Sequence, residues 1–158
     1  MRVLGIDPGL RIAGYGCIDV EGALSKPMLV EAGAIKLNTK ETVSFRLAQL
    51  YKDVQEVIEE LQPELMAVET IFTHERQVAT ATILGYARGV ILLAGEQASL
   101  PLIELTPAEI KKSISGNGRA SKHQIQHAVA SALQLNNVPE PPDVADALAI
   151  AITAAARQ

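Results

Sequence analysis

At 158 residues the chain has the length of one domain, spanning 1–158 and able to bury roughly 70% of its unfolded surface. Hydrophobic residues make up 48% and aromatics 3%, so the core must be aliphatic and alanine, and the single cysteine, Cys17, excludes an intrachain disulfide and fits a reducing compartment. The net charge of −4 speaks against a whole-protein field that attracts a polyanion, although it averages over charge that is segregated along the chain.

Val3 to Ile6 reads as a short buried strand, too short an apolar run for a signal peptide. Ile12 to Val20 is glycine-rich but strand-like, and the Glu21-Gly22 turn leads to a third strand at about Met28 to Leu37, which completes an antiparallel meander. Val43, Leu47, Leu50, Val54, Val57, Ile58 and Leu61 recur at helical spacing, with Thr42 as N-cap and Pro63 just past the end. Leu65 to Val68 is a buried strand, followed by a helix over about His74 to Ala98 and a fifth strand over Leu102 to Leu105. Thr106-Pro107 starts a helix, Gly116-Asn117-Gly118 breaks it, and Ser121 caps another over about Lys122 to Leu135. Pro139, Pro141 and Pro142 punctuate a loop before a last helix from about Asp143 to the end. Its Ala-rich run is the longest candidate for a membrane span, but it is shorter than about 18 apolar residues and begins among acids, so a soluble, cytoplasmic protein with no membrane partner is expected. A meander followed by helix-linked strands predicts an α/β fold with a five-stranded mixed sheet flanked by helices.

Four carboxylates stand out within this order. Asp7 closes Val3-Leu4-Gly5-Ile6, Glu69 closes Leu65-Met66-Ala67-Val68, and Asp143 and Asp146 open the apolar run of the last helix. Asp7 and Glu69 thus fall at strand carboxyl ends, where α/β sheets place their sites. Asp143 and Asp146, spaced i, i+3, project from one side of a first helical turn. Each acid alone has an ordinary reading: a turn contact for Asp7, a satisfied strand end for Glu69, a helix N-terminus for Asp143. Together they suit a hard divalent cation and, with roughly four negative charges, two of them. The matching chemistry is two-metal phosphodiester hydrolysis, in which one ion activates a water and the other stabilises the leaving oxygen.

Gly5-Ile6-Asp7-Pro8-Gly9 with Arg11 and Gly14-Tyr15-Gly16 resembles the opening of the RuvC-type Holliday-junction endonucleases, which have a ribonuclease-H-like fold. So do Val68-Glu69 with Phe72, Ala87-Arg88-Gly89-Val90 and Ala145-Asp146-Ala147-Leu148-Ala149-Ile150-Ala151, in order over nearly the whole chain. The resemblance implies that Asp7, Glu69, Asp143 and Asp146 bind two catalytic ions per subunit, Mg²⁺ or Mn²⁺. It implies a homodimer that nicks two strands of a four-way DNA junction symmetrically during recombination and repair, leaving 5′-phosphate and 3′-hydroxyl ends. It also implies cooperation with the RuvA–RuvB branch-migration complex.

The family pattern carries two catalytic basic positions onto Lys111 and Lys122, as phosphate contacts or transition-state stabilisers; solvated helix lysines are the plain alternative. Lys112 is adjacent, and Arg119 lies in the glycine loop, where backbone can approach a phosphate. These bases fall in a segment, Ile110 to His127, without a single acid, whereas Asp53 to Glu64 holds five acids and no base. DNA is therefore expected on the Lys111–Lys122 side with the acidic helix turned away. Phe72 is read as a wedge or stacking partner for junction bases, or as core, and Arg76 as a local DNA contact. His123 and His127 are spaced i, i+4 but lack a third zinc ligand nearby, and are read as polar or DNA-facing. Ala81, Gly85 and Gly89 form a small-residue stripe that packs either on the sheet or on a partner helix, and part of this helix is expected at the dimer contact. Two alternatives share features of the opening motif: a resolvase-like protein of RNA processing, and a nucleotide-binding domain of the actin and sugar-kinase type, for whose two lobes the chain is too short.

Overall fold

The computed structural model describes residues 1–22, 25–71 and 78–158. Three strands form first: β1 (Arg2–Asp7), β2 (Ile12–Asp19) and β3 (Met28–Lys36). Then come α1 (Val43–Leu61), β4 (Leu65–Glu69), α2 (Val78–Gln97), β5 (Leu102–Leu105), α3 (Pro107–Ser115), α4 (Lys122–Ala132) and α5 (Pro142–Ala155). The sheet order is β3-β2-β1-β4-β5, antiparallel through β3, β2 and β1 and parallel through β1, β4 and β5. The expected α/β architecture and its five mixed strands are therefore present.

Local chemistry sets the element ends. The Thr42 side chain accepts from Phe45 N at 3.2 Å at the start of α1, whose Leu50, Val54, Ile58 and Leu61 are buried at steps of four, four and three. Thr106 and Glu109 form a capping box on α3, with Pro107 in the first turn, and Ser121 and Gln124 form another on α4. Gly116, at φ 74°, closes α3 in the left-handed region. Helix α4 ends at Ala132, three residues before the predicted Leu135, because the chain turns through Gln134 at φ 55°.

Side-chain alternation along the strands divides the core. Leu4, Ile6, Met66, Val68 and Cys17 pack with α1 and α2, while Val3, Ile18, Leu65 and Ala67 pack with α3, α4 and α5. The Cys17 thiol is fully buried, and burial pushes its pKa up to about 11.

Helix α5 approaches the sheet through missing side chains. A Cβ on Gly5 would lie 2.2 Å from the Ala147 carbonyl oxygen, one on Gly14 2.0 Å from that of Asp143, and one on Gly16 2.6 Å from Leu148 Cδ2. Nine of its fourteen residues are buried. The predicted membrane-span candidate is thus core. Among the described residues the apolar helix long enough to cross a membrane by length and composition is instead α2, with a mean hydropathy of 1.5.

Candidate active site

Period-two alternation decides where the first two carboxylates point. Val3, Gly5 and Asp7 share one face of β1, and Leu65, Ala67 and Glu69 share the same face of β4, the face that α5 covers. The parallel register pairs Ile6 with Val68, so Asp7 and Glu69 come next, at the carboxyl ends of neighbouring strands. Asp7 is opposite Gly14, and Gly14 supports the Asp143 backbone, which delivers the first turn of α5 to the same spot. Asp146, one turn on, faces Lys122: Nζ and Oδ2 are 2.9 Å apart.

The electrostatics register this convergence. Burial, then repulsion from Asp146, Glu69 and Asp143, pushes the Asp7 carboxyl up to about 8. Glu69 is raised by burial and by Asp146, with Lys111 and Lys122 pulling the other way. For Lys122, burial lowers the pKa, but the Asp146 hydrogen bond and the charges of Asp146, Asp143 and Asp7 outweigh it and keep the ammonium protonated.

These oxygens are the donor set of a hard divalent cation, and the charge they accumulate calls for one. Their spacing does not yet close on an ion: among the described residues no three acidic, histidine or cysteine side chains stand together as a ligand group. Asp146 is meanwhile paired with Lys122.

Lys111 and Lys122 line one depression with Glu69, Asp146 and Pro107. Lys112 and Arg119 are exposed and do not line it. Phe72 and Arg76 lie outside the described residues. His123 and His127 are exposed on α4 with Nε2 atoms 3.0 Å apart, consistent with the polar reading. Gly85 and Gly89 have nothing within 4 Å of an added Cβ, so the small-residue stripe faces away from the sheet.

The sequence reading gave no role to two side chains that position the site. Arg88 on α2 donates through Nε to the Glu69 carbonyl at 3.2 Å and pairs with Glu104 on β5, fixing the end of β4. Glu109 accepts from the Thr106 hydroxyl and backbone and pairs with Arg157 at 2.6 Å, which together hold its pKa down to about 2. It thereby ties the start of α3, and so Lys111, to Arg157, two residues past the end of α5. Arg88 had a signal, a charge in the middle of an apolar helix; Glu109 had its capping-box spacing from Thr106.

The family model described as Crossover junction endodeoxyribonuclease RuvC matches residues 3–154. A protein of that name from Brevibacillus brevis is 45% identical over 153 residues, 97% of this chain and 90% of the relative. The Thermus thermophilus RuvC structure in complex with a Holliday junction substrate superposes with a TM-score of 0.89 at 37% identity, covering 97% of this chain and 92% of that one. A yeast mitochondrial Holliday junction resolvase shares the fold at a TM-score of 0.67 and 14% identity, covering 98% and 78% of the two chains.

Proposed function

Because this chain belongs to the RuvC family of crossover junction endodeoxyribonucleases, we propose that it resolves four-way DNA junctions by metal-dependent hydrolysis of phosphodiester bonds. The observation that carries this reading is the convergence of Asp7, Glu69, Asp143 and Asp146, from three distant segments, beside Lys111 and Lys122. The nuclease unit is a single domain over 1–158 that acts on DNA in the cytoplasm.

The four carboxylates would hold two divalent ions, Mg²⁺ or Mn²⁺, which would supply Lewis acidity toward the water and the leaving oxygen. Lys122, paired with Asp146, lines the same depression and offers its ammonium to a phosphate oxygen. Lys111, on the other wall, contacts a neighbouring oxygen and stabilises the charge that develops in the transition state. Arg88 and the glycine contacts of α5 keep the carboxylates from drifting, so positioning is supplied before DNA arrives. The products are a 5′-phosphate and a 3′-hydroxyl.

Two such sites on a twofold homodimer would nick two strands of like polarity. The partner surface is the outer face of α2, where Tyr86 and Leu93 are 51% and 50% exposed beside the open Gly85 and Gly89. Cooperation with the RuvA–RuvB complex rests on the family resemblance.

The test is incubation of the protein with a labelled four-way junction, a duplex and a single strand, with and without Mg²⁺ or Mn²⁺. Paired nicks in the junction alone, and only with metal, are expected. Asp7→Asn, Glu69→Gln and Asp146→Asn should each lower cutting by a hundredfold or more while sparing junction binding; Asp143→Asn should be milder because an amide oxygen still ligates. Near-wild-type cutting by any of the first three removes that residue from the metal site.

A further inference from the structure

Three depressions on the active face adjoin one another through shared lining residues. The first, about 250 Å³, is lined by Lys111, Lys122, Asp146, Glu69 and Pro107. The second, about 190 Å³, shares Glu69 and Pro107 with it and adds Asp7, Pro8 and Leu84. The third, about 430 Å³, shares Pro8 and Leu84 with the second and ends at Arg11 and Arg46. The result is one trough, with lysines at one end, the carboxylates in the middle and two arginines at the other end.

The arginine end has no counterpart in the chemistry derived so far. Arg11 is exposed, and among the described residues no carboxylate lies within ion-pairing distance of it. Arg46 reaches from α1 to donate through Nη1 to the Leu10 carbonyl at 2.9 Å, and its Nε is buried without an acceptor. Among the described residues Asp143 is the one acid that lines the third depression, against the two guanidinium groups of Arg11 and Arg46. An acidic centre alone would repel DNA. A trough with basic side chains at both ends lets an anionic strand cross it, held on either side of the bond to be cut.

The geometry points to a second phosphate site at the Arg11–Arg46 end of the trough, which takes a backbone phosphate of the cut strand displaced from the scissile bond. Arg11 is the ligand, since its fork suits two phosphate oxygens. Arg46 is a positioning residue: it holds the Leu10 carbonyl, and with it the turn that joins Asp7 to Arg11. This proposal rests on the junction-nuclease reading and adds to it a second contact with the strand, on the opposite side of the carboxylates from Lys111 and Lys122.

The test measures binding of the full chain to a four-way junction in Ca²⁺ over a range of salt, for the wild type, Arg11→Ala and Arg11→Lys. Arg11→Ala should reduce the magnitude of the salt slope by about one unit, Arg11→Lys should retain it, and the melting temperature should be the same for all three. Junctions carrying a single neutral methylphosphonate, scanned along the cut strand, sharpen the result. At one position away from the scissile bond the neutral group should weaken the wild type but cost Arg11→Ala nothing further. If the wild type binds and cuts junctions yet Arg11→Ala keeps the full slope, or every methylphosphonate costs both proteins alike, the second site is wrong and the nuclease reading stands. If Arg11→Ala alters the sedimentation of the free protein and leaves the slope intact, the depression is a subunit contact and the proposal falls. If the wild type neither binds nor cuts a junction, the parent reading fails and this one with it.

Discussion

Helix α5 buries nine of its fourteen residues against the sheet, whereas α2, also apolar and longer at twenty, buries four. Hydrophobicity does not separate them. The difference lies in what faces each helix. Opposite α5, the strands present glycines, so its backbone settles within van der Waals distance of theirs and carries Asp143 and Asp146 to Asp7 and Glu69. Opposite the outer face of α2 there is solvent: Val78 is 61% exposed and Tyr86 51%. One helix is anchored to build a site, and the other keeps an apolar face in reserve, the face we assign to a second copy of the chain. The glycines divide in the same way, with those of β1 and β2 filled by α5 and Gly85 and Gly89 open.

The sharpest way to break this contrast is to add one methyl group on each side of it. Gly5→Ala places a carbon against the Ala147 carbonyl, and because both atoms belong to regular backbone, neither can yield. We expect a loss of at least about 3 kcal/mol, seen as an insoluble protein or one without a cooperative melt. Gly85→Ala and Gly89→Ala meet nothing, and should raise the stability of the isolated subunit by up to about 1 kcal/mol each through helix propensity. Equal effects at the two sets of glycines would mean that α5 is not seated as described.

The second perturbation concerns association. Leu93→Glu puts a charge on the outer face of α2. It should weaken dimerisation by roughly a hundredfold, about 3 kcal/mol, in sedimentation equilibrium. It should also turn paired incision into single nicks, with metal binding unchanged. A variant that still sediments as a dimer would move the interface elsewhere.

A third, smaller effect tests the cost of lodging a carboxylate under α5. The Asp7 pKa is raised from an ordinary 3.8 to about 8, so the folded state holds a proton that the unfolded state has already released between those values. Metal-free stability should therefore fall as pH rises through that window. Asp7→Asn should remove most of that slope and stabilise the metal-free protein at pH 8 by on the order of 2 kcal/mol, while abolishing cutting. Divalent metal should offset the same loss in the wild type. Denaturant melts at pH 5 and pH 8 with EDTA measure it, and parallel pH profiles for the two proteins would show that Asp7 is not the buried charge.

The sheet, its order of elements and three of the helix caps were legible because apolar runs, Thr and Ser caps, and glycine and proline breaks are local signals. The four carboxylates were legible because each adjoins a strand or helix that must be buried. What escaped depends on contacts between distant segments. Gly14 and Gly16 read as irregularities of a strand; their spacing of two, which puts them on one face, was the sign that a backbone would press there. Ala81, Gly85 and Gly89 allowed packing on the sheet as well as the expected contact with a partner, and the position of Ala87, Ile91 and Ala94 toward the core turned the stripe outward. The Lys122–Asp146 pair joins residues 24 positions apart on two helices, a distance along which sequence carries no register. Arg11 stood in the opening motif without a role until the trough gave it neighbours.

Cys17 has a practical corollary. It is the single cysteine in the sequence, it has no exposed surface, and its thiol stays protonated through the neutral range. Maleimide and other thiol-directed dyes react with the thiolate at accessible positions, so the wild-type chain should remain unlabelled while folded. A cysteine introduced on the surface then becomes the one reactive handle, without first removing a native residue from the core. A fluorophore placed in this way on the outer face of α4, the helix that begins at Lys122, would report the approach of a junction arm in a fully active background.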